Sequence, residues 1–461
     1  MRFNIGFLKT IKSLFYNSKQ KRNAAQKNAV KPDAARRTPP KCAYASRAGI
    51  NGGNKMNSAI IKSRILLPSN EIDKTKWSVI ACDQYAAQPD YWKKVEAIVG
   101  SSPSTLRMTL PEIYLSESKS RSPKIHAAMN KCLNDGNLLP AVDGFILVER
   151  ETSSGIRPGI VAAIDLEQYD YAAGSASAIR PAENTIPDRV PILAHIRAGA
   201  PLELPHALVL IEDPGQTVIE SLYARRQALR PLYDFDLMMD AGHIRGWAIE
   251  DANADSLLRA LNAITALSQA PAFLVGDGNH ALAAAKQCWE NVRDALPPKM
   301  REDHPMRYAL VELVNVANPA IEFEPVHRLV TGVNPIHMIT EFRNRLKRFG
   351  IPDVAGNDLT VLTRSARMSF GFEKHPLPVL QSFLDDYLAE HTEAHIEYIH
   401  GSDTLLRLLS ERADAMGFMP RVFGKFELFP TVRRLGALPR KTFSMGEAND
   451  KRFYLEARAL Q

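Results

Sequence analysis

The chain is predicted to be an α+β protein with mixed sheets and a C-terminal α/β layer. Three observations carry this. Short apolar runs of strand length recur between helix-length segments across residues 60–330. The stretch Phe273-Leu274-Val275-Gly276-Asp277-Gly278-Asn279-His280-Ala281 reads as strand, glycine turn and alanine-rich helix. Past Asn334 the rhythm changes to alternating helix and strand.

At 461 residues there is room for a large core and two or three structural units. We divide the chain into a basic extension (1–55), a core (56–333) and a C-terminal α/β part (334–461). Residues 1–55 hold thirteen Lys and Arg against one acid, Asp33, so they contribute +12 and the remaining chain carries −5 of the net +7. The basic character is thus confined to a tail of low-hydrophobicity sequence expected to be disordered, and specific nucleic-acid binding is not indicated. Met1 to Tyr16 has the pattern of a short amphipathic helix, as a presequence or membrane-surface segment has. A peripheral extension ahead of Met56 is the simpler reading. No apolar run reaches membrane-spanning length, and Cys42, Cys82, Cys132 and Cys288 have no CxxC spacing, so a reducing cytoplasm is expected.

In order, strands are predicted at Ile60 to Leu67 and Trp77 to Cys82, the latter delivering Asp83-Gln84-Tyr85 to its end. Helices follow at 89–99 and about 122–134, with Trp77 as a core residue. Gly144–Glu149 and Gly159–Asp165 form paired strands across a Ser-Gly turn. Ile179-Arg180-Pro181-Ala182-Glu183-Asn184-Thr185-Ile186-Pro187 is a rigid polar loop. A strand from His206 to Ile211, helices at 216–230 and 254–268 with a strand near 244–250 between them, and a strand from Met306 to Val316 complete the core. Beyond it come helix 335–348, strand 366–372, helix 377–390, strand 394–399 and helix 402–416.

The glycine turn is the centre of the functional reading. A helix starting there aims unsatisfied N–H groups and a positive dipole end at an anion, most often phosphate. Gly276 and Gly278 allow close backbone approach, Asn279 is a capping residue, and His280 adds a donor. Asp277 or Asp83 could hold Mg²⁺. Arg180, Thr185, His327, Arg328 and Lys441 are candidate phosphate partners, although an Arg–Glu pairing explains Arg180 or Arg328 equally well. The G-D-G-N-H string lacks the spacing of a Walker A loop or a dinucleotide fingerprint.

These strings resemble a family. Trp77 to Tyr85, Leu202-Glu203-Leu204-Pro205-His206, Gly276 to His280, Glu324-Pro325-Val326-His327-Arg328 and Leu438-Pro439-Arg440-Lys441-Thr442-Phe443 are similar, in order, to the bacterial domain of unknown function 1015. Gly278 and His280 also resemble the G-H-R box of the ParB/sulfiredoxin nucleotide-binding superfamily, with Ala281 where the arginine stands. Asn279 occupies the place of sulfiredoxin's cysteine, which disfavours sulfinic-acid reduction. The resemblance implies a ParB/sulfiredoxin-like strand–turn–helix core and a protein using ATP or ADP with Mg²⁺.

The leading expectation is a kinase of a small hydroxylated metabolite, with Asp83, Glu183 and His280 as catalytic residues and Glu183 or Asp83 as base. The alternative is a non-catalytic nucleotide- or metabolite-binding regulator. A metal-dependent hydrolase comes third, since no HExxH, HxH or DxH pair is present. The oligomeric state is left open.

Overall fold

The computed structural model describes residues 58–461, apart from Ala81, Ala87, His206, Asp353 and the side chain of Asp83. The basic extension 1–55 lies outside the described residues. Residues Met56–Gln461 form one compact unit.

Its backbone is a ten-stranded mixed sheet. From one edge the strands run Ile179–Pro181, Phe273–Asp277, Leu208–Ile211, Tyr308–Asn315, Gly155–Asp165, Leu138–Thr152, His243–Ile249 and Arg230–Asp236, with Ile60–Ile61 and Ser63–Pro68 added on the central hairpin. Phe273–Asp277 is parallel to Ile179–Pro181, and Tyr308–Asn315 is parallel to Leu208–Ile211; every other pairing is antiparallel. Strand side chains alternate between faces. Phe273, Val275, Val311 and Leu313 point to one face and pack with Leu257, Leu282 and Trp289 of helices Asp251–Leu267 and Asn279–Arg293. Ile146, Val148, Val161 and Leu310 point to the other, against helices Pro89–Val99 and Ser118–Asn134 and the C-terminal segment around Phe453 to Leu460.

The C-terminal part builds a six-stranded sheet, in which Arg367–Phe370, Leu359–Leu362, Ala415–Pro420, Phe323–Thr331 and His395–His400 lie side by side and Phe443–Met445 pairs with the start of Phe323–Thr331. All its pairings are antiparallel. Helices Pro335–Arg348 and Leu377–Glu390 cover one face through Met338, Phe342, Leu346, Leu380 and Leu384. Helix Ser402–Ser410 covers the other through Leu405 and Leu409. Proline near the start of Pro89–Val99, Pro335–Arg348 and Leu377–Glu390 sets those boundaries where the sequence places them.

Four elements differ from the sequence expectation. Ile179-Arg180-Pro181, expected as the start of a polar loop, is a buried edge strand paired in parallel with Phe273–Val275, so the loop begins only after Pro181. Residues around Trp77 are not a strand: Asp73 accepts the Thr75 and Lys76 N–H groups and caps a short helix, Lys74–Trp77, after which Val79 makes a single bridge to Tyr454. The expected helix over 216–230 shrinks to Ile219–Tyr223, because Arg230-Pro231-Leu232-Tyr233-Asp234-Phe235-Asp236 pairs with His243–Ile249. Helix 402–416 stops at Ser410, and Ala415–Pro420 enters the sheet centre as an almost wholly buried strand.

Phe342 is fully buried and makes edge contacts with Phe370, Phe383 and Phe418. Phe342→Ala is expected to cost about 3–5 kcal/mol in urea denaturation. A loss below about 1 kcal/mol would contradict this packing.

Candidate functional site

The strand Phe273–Asp277 ends at Gly278, whose φ of +79° marks it as left-handed, and helix Asn279–Arg293 starts directly after. Gly278, rather than Asn279, is the N-cap, and Asn279 is the first helical residue. The glycine is required twice over, since a Cβ there would also sit 2.8 Å from Ala207 Cα. Gly276 serves packing, because a Cβ on it would lie 2.9 Å from Met445. Gly276 to His280 are all partly exposed, so the turn is reachable from solvent.

Asp277 sits at the mouth of this helix. One carboxylate oxygen accepts the Gly278 N–H at 2.8 Å; the other is 3.5 Å from Lys451 Nζ. Lys451 is buried and also donates to Ser444 Oγ at 3.1 Å. Ser444 pairs across the strands with Glu324, whose carboxyl burial and the nearby Glu447 push above its ordinary range. Neither Lys451 nor Ser444 stands out locally as a partner of Asp277, 174 residues away for the lysine; Lys451 is one charge among several in the segment from Glu447 to Arg458, and nothing local marks it.

The turn Asp83–Tyr85 reaches the same C-terminal segment. Tyr85 hydrogen-bonds Asn449, and Gln84 Nε2 lies 3.4 Å from His400 Nδ1. Asp83 opens this turn; its side chain lies outside the described residues.

The loop after Pro181 folds over the helix start. Ile186 N–H donates to His280 Nε2 at 3.1 Å, and Asn279 Nδ2 donates to the Glu183 carbonyl at 3.4 Å. The Glu183 carboxylate accepts the N–H groups of Lys441, Thr442 and Phe443 at 2.9, 2.9 and 3.1 Å. Burial raises its pKa, opposed by those amides and the Lys441 charge. Lys441 itself adopts a φ of +56°. Thr185 Oγ1 and Asn279 Oδ1 are buried without a hydrogen-bond partner among the described residues. Glu183, Thr185, Asn279, His280 and the Lys441 backbone are therefore brought together.

Arg180, His327 and Arg328 are each buried, and Arg328 lies beside this cluster through the Arg440 carbonyl. Arg180 is buried in register with Leu274, facing Gly436. Arg328 has no exposed surface; its guanidinium donates to the carbonyls of Val326 and Arg440 and to Gln381 Oε1, with the Tyr398 ring 5.3 Å away. Burial lowers its pKa to about 10. A group so enclosed cannot meet a ligand from solvent without rearrangement. His327 is buried and, through burial first and then the charges of Arg328 and His400, falls to about 4. It is neutral at physiological pH and supplies no cation.

The profile of the family described as Protein of unknown function (DUF1015) matches residues 66–425. The chain belongs to this family. No curated protein matches it. Among solved structures, a free serine kinase in complex with AMP is 10% identical, with 65% of this chain and 92% of that chain covered at a TM-score of 0.37. A conserved hypothetical protein from Pyrococcus furiosus is 10% identical over 65% and 95% at 0.34. SbnI from Staphylococcus aureus, with a C-terminal truncation, is 9% identical over 62% and 82% at 0.33. Such TM-scores do not establish a shared fold. No helix among the described residues is long and apolar enough to cross a membrane.

His327 gives a pH test. The unfolded chain binds its proton near pH 6.5, whereas the folded state holds out to about pH 4. Its stabilising contribution is therefore complete above 6.5 and declines as pH falls from 6.5 towards 4, by up to about 1.4 kcal/mol per pH unit. His327→Gln is expected to flatten urea-derived stability across that window. An unchanged slope would contradict the burial of a neutral imidazole here.

Proposed function

We propose that this protein binds a nucleotide through its phosphates at the Gly276–His280 turn and transfers a phosphoryl group to a small hydroxylated metabolite. The observation that carries the reading is the pairing of Asp277 with Lys451 at 3.5 Å beside the N-terminal end of a 15-residue helix. The first amides of that helix have no intrahelical acceptor and form its positive pole. An ammonium held beside them gives the two components that phosphate needs, oriented donors and a compact cation.

Asp277 suits Mg²⁺, which is usually held by one or two carboxylates with waters and phosphate oxygens completing the octahedron. Glu324, linked to Lys451 through its cross-strand neighbour Ser444, is a second carboxylate of the same region. When bound, the ion would neutralise charge on the phosphates. Lys451 and the helix amides would orient them, and the acceptor hydroxyl would give its proton to a carboxylate. Asp83 is that base in this reading, because the turn it opens leads into Gln84 and Tyr85 and their contacts with His400 and Asn449. Glu183 and His280 shape the site: the first fixes the Lys441–Phe443 backbone and the second holds the Ile186 amide.

The same two residues favour a second reading, nucleotide binding without turnover. Glu183 has its carboxylate committed to three amides, and His280 has Nε2 committed to one. A regulator needs no freer base than that.

Adding ADP or ATP with Mg²⁺ is expected to raise the melting temperature of the protein, by an amount corresponding to about 2.7 kcal/mol at a hundredfold excess over Kd. Lys451→Met is expected to abolish this shift. His280→Ala should cost about 1 kcal/mol of stability through the lost Ile186 contact and weaken the shift. Equal stabilisation of parent and both variants would contradict the proposal. Nucleotide consumption only in the presence of a hydroxylated acceptor separates the kinase from the regulator, which would bind without consuming.

A further inference from the structure

We infer that His337, Glu341 and His391 form a binding site for a borderline divalent transition metal, Zn²⁺ foremost, which ties the first turn of helix Pro335–Arg348 to the end of helix Leu377–Glu390. None of these residues belongs to the proposed nucleotide site, so the inference stands independently of it.

The donor geometry is the first argument. His337 and Glu341 are one helical turn apart and share a face. His337 Nε2 lies 3.4 Å from Glu341 Oε1, and His391 Nε2 lies 3.9 Å from Glu341 Oε2. One donor atom from each of the three residues falls within 4.8 Å of the others. Ligands about 2.0–2.1 Å from a tetrahedral zinc ion stand roughly 3.3 Å from one another. Small side-chain movements therefore close the set. Two imidazoles and one carboxylate is also a donor combination that zinc uses with a fourth position left for water.

The second argument is that these side chains are held in place. Asn334 caps the helix and accepts the His337 N–H at 3.2 Å, fixing the turn that carries the first ligand. His391 is the C-cap of the other helix, its N–H bonded to the Tyr387 carbonyl. Its ring stacks on Tyr387, with centroids 4.1 Å apart and planes at 27°. Glu393 Oε1 lies 3.5 Å from His391 Nδ1. A carboxylate on Nδ1 keeps the proton there and leaves the Nε2 lone pair directed at the metal. Ion pairs among such exposed groups would contribute little by themselves, so charge pairing alone does not account for the arrangement. A cavity of about 170 Å³ that Glu341 and Tyr387 help to line lies next to the cluster.

The chain has twelve histidines and four cysteines, so metal uptake alone is not diagnostic. The test is calorimetric titration of the protein with Zn²⁺, paired with visible absorption of the Co²⁺-loaded form and a circular-dichroism melt of each variant. The parent is expected to take up one ion at micromolar affinity or better, to melt at higher temperature with it, and to show four-coordinate Co²⁺ bands. His337→Gln and His391→Gln are each expected to weaken that uptake at least a hundredfold and remove the bands. Glu393→Gln should weaken it about 10–100-fold. If one histidine variant fails to fold, the other with Glu341→Gln decides. A parent that takes up no ion, or folded variants that bind as the parent does, would overturn the site.

Discussion

Much of this molecule depends on one buried guanidinium. Arg452, fully enclosed, bridges Glu312 on the central sheet at 2.5 Å and Glu456 four residues further along its own segment. Tyr233 adds a hydrogen bond to Glu456 at 2.7 Å. A charge so far from water is tolerable only with both carboxylates in place, and removing one partner from such a network typically costs about 3–5 kcal/mol. The clamp fixes the C-terminal segment over the sheet face. It thereby delivers Lys451, the preceding residue, to Asp277. Arg458 repeats the device on Glu203, and the fully buried Trp77 holds the segment by donating to the Leu455 carbonyl at 2.9 Å.

The proposed site thus draws on four distant stretches of chain with different jobs. The Phe273–Asp277 strand and its glycine turn present a helix end. The C-terminal segment supplies the ammonium. The 181–187 loop lies across the helix start through Ile186 and His280, and Glu183 fastens that loop to the Lys441–Phe443 backbone. The Asp83–Tyr85 turn leans on Asn449. Conformational freedom at the helix end is limited by contacts that contain no ligand, and so the amides are ordered in advance. Preorganised donors bind an anion without an ordering cost at the moment of binding.

The strand–turn–helix at 273–293 was legible because its signals are local: an apolar run, a glycine that must take positive φ, and alanines after it. Helix ends at Pro89, Pro335 and Leu377 were legible for the same reason. What stayed hidden was decided at long range. Arg328 carries no mark in the sequence that separates a solvent-facing cation from one sealed beneath Tyr398. Lys451 looks like an ordinary charge until the sheet brings Asp277 to it. Trp77 lies in a run of strand-like residues, yet Asp73 caps the backbone into a short helix that ends on it. The Ala415–Pro420 strand follows a helix without proline or a strong turn signal, and only its burial between two neighbours makes it a strand.

The most direct measurement is a crystal structure of the protein grown with ADP and Mg²⁺. The account predicts phosphate oxygens over the amides of Asn279, His280 and Ala281, within hydrogen-bonding distance of Lys451 Nζ, with the metal ion on Asp277. A nucleotide seated elsewhere, or a Lys451 still closed on an unliganded Asp277 while the nucleotide occupies another surface, would contradict it.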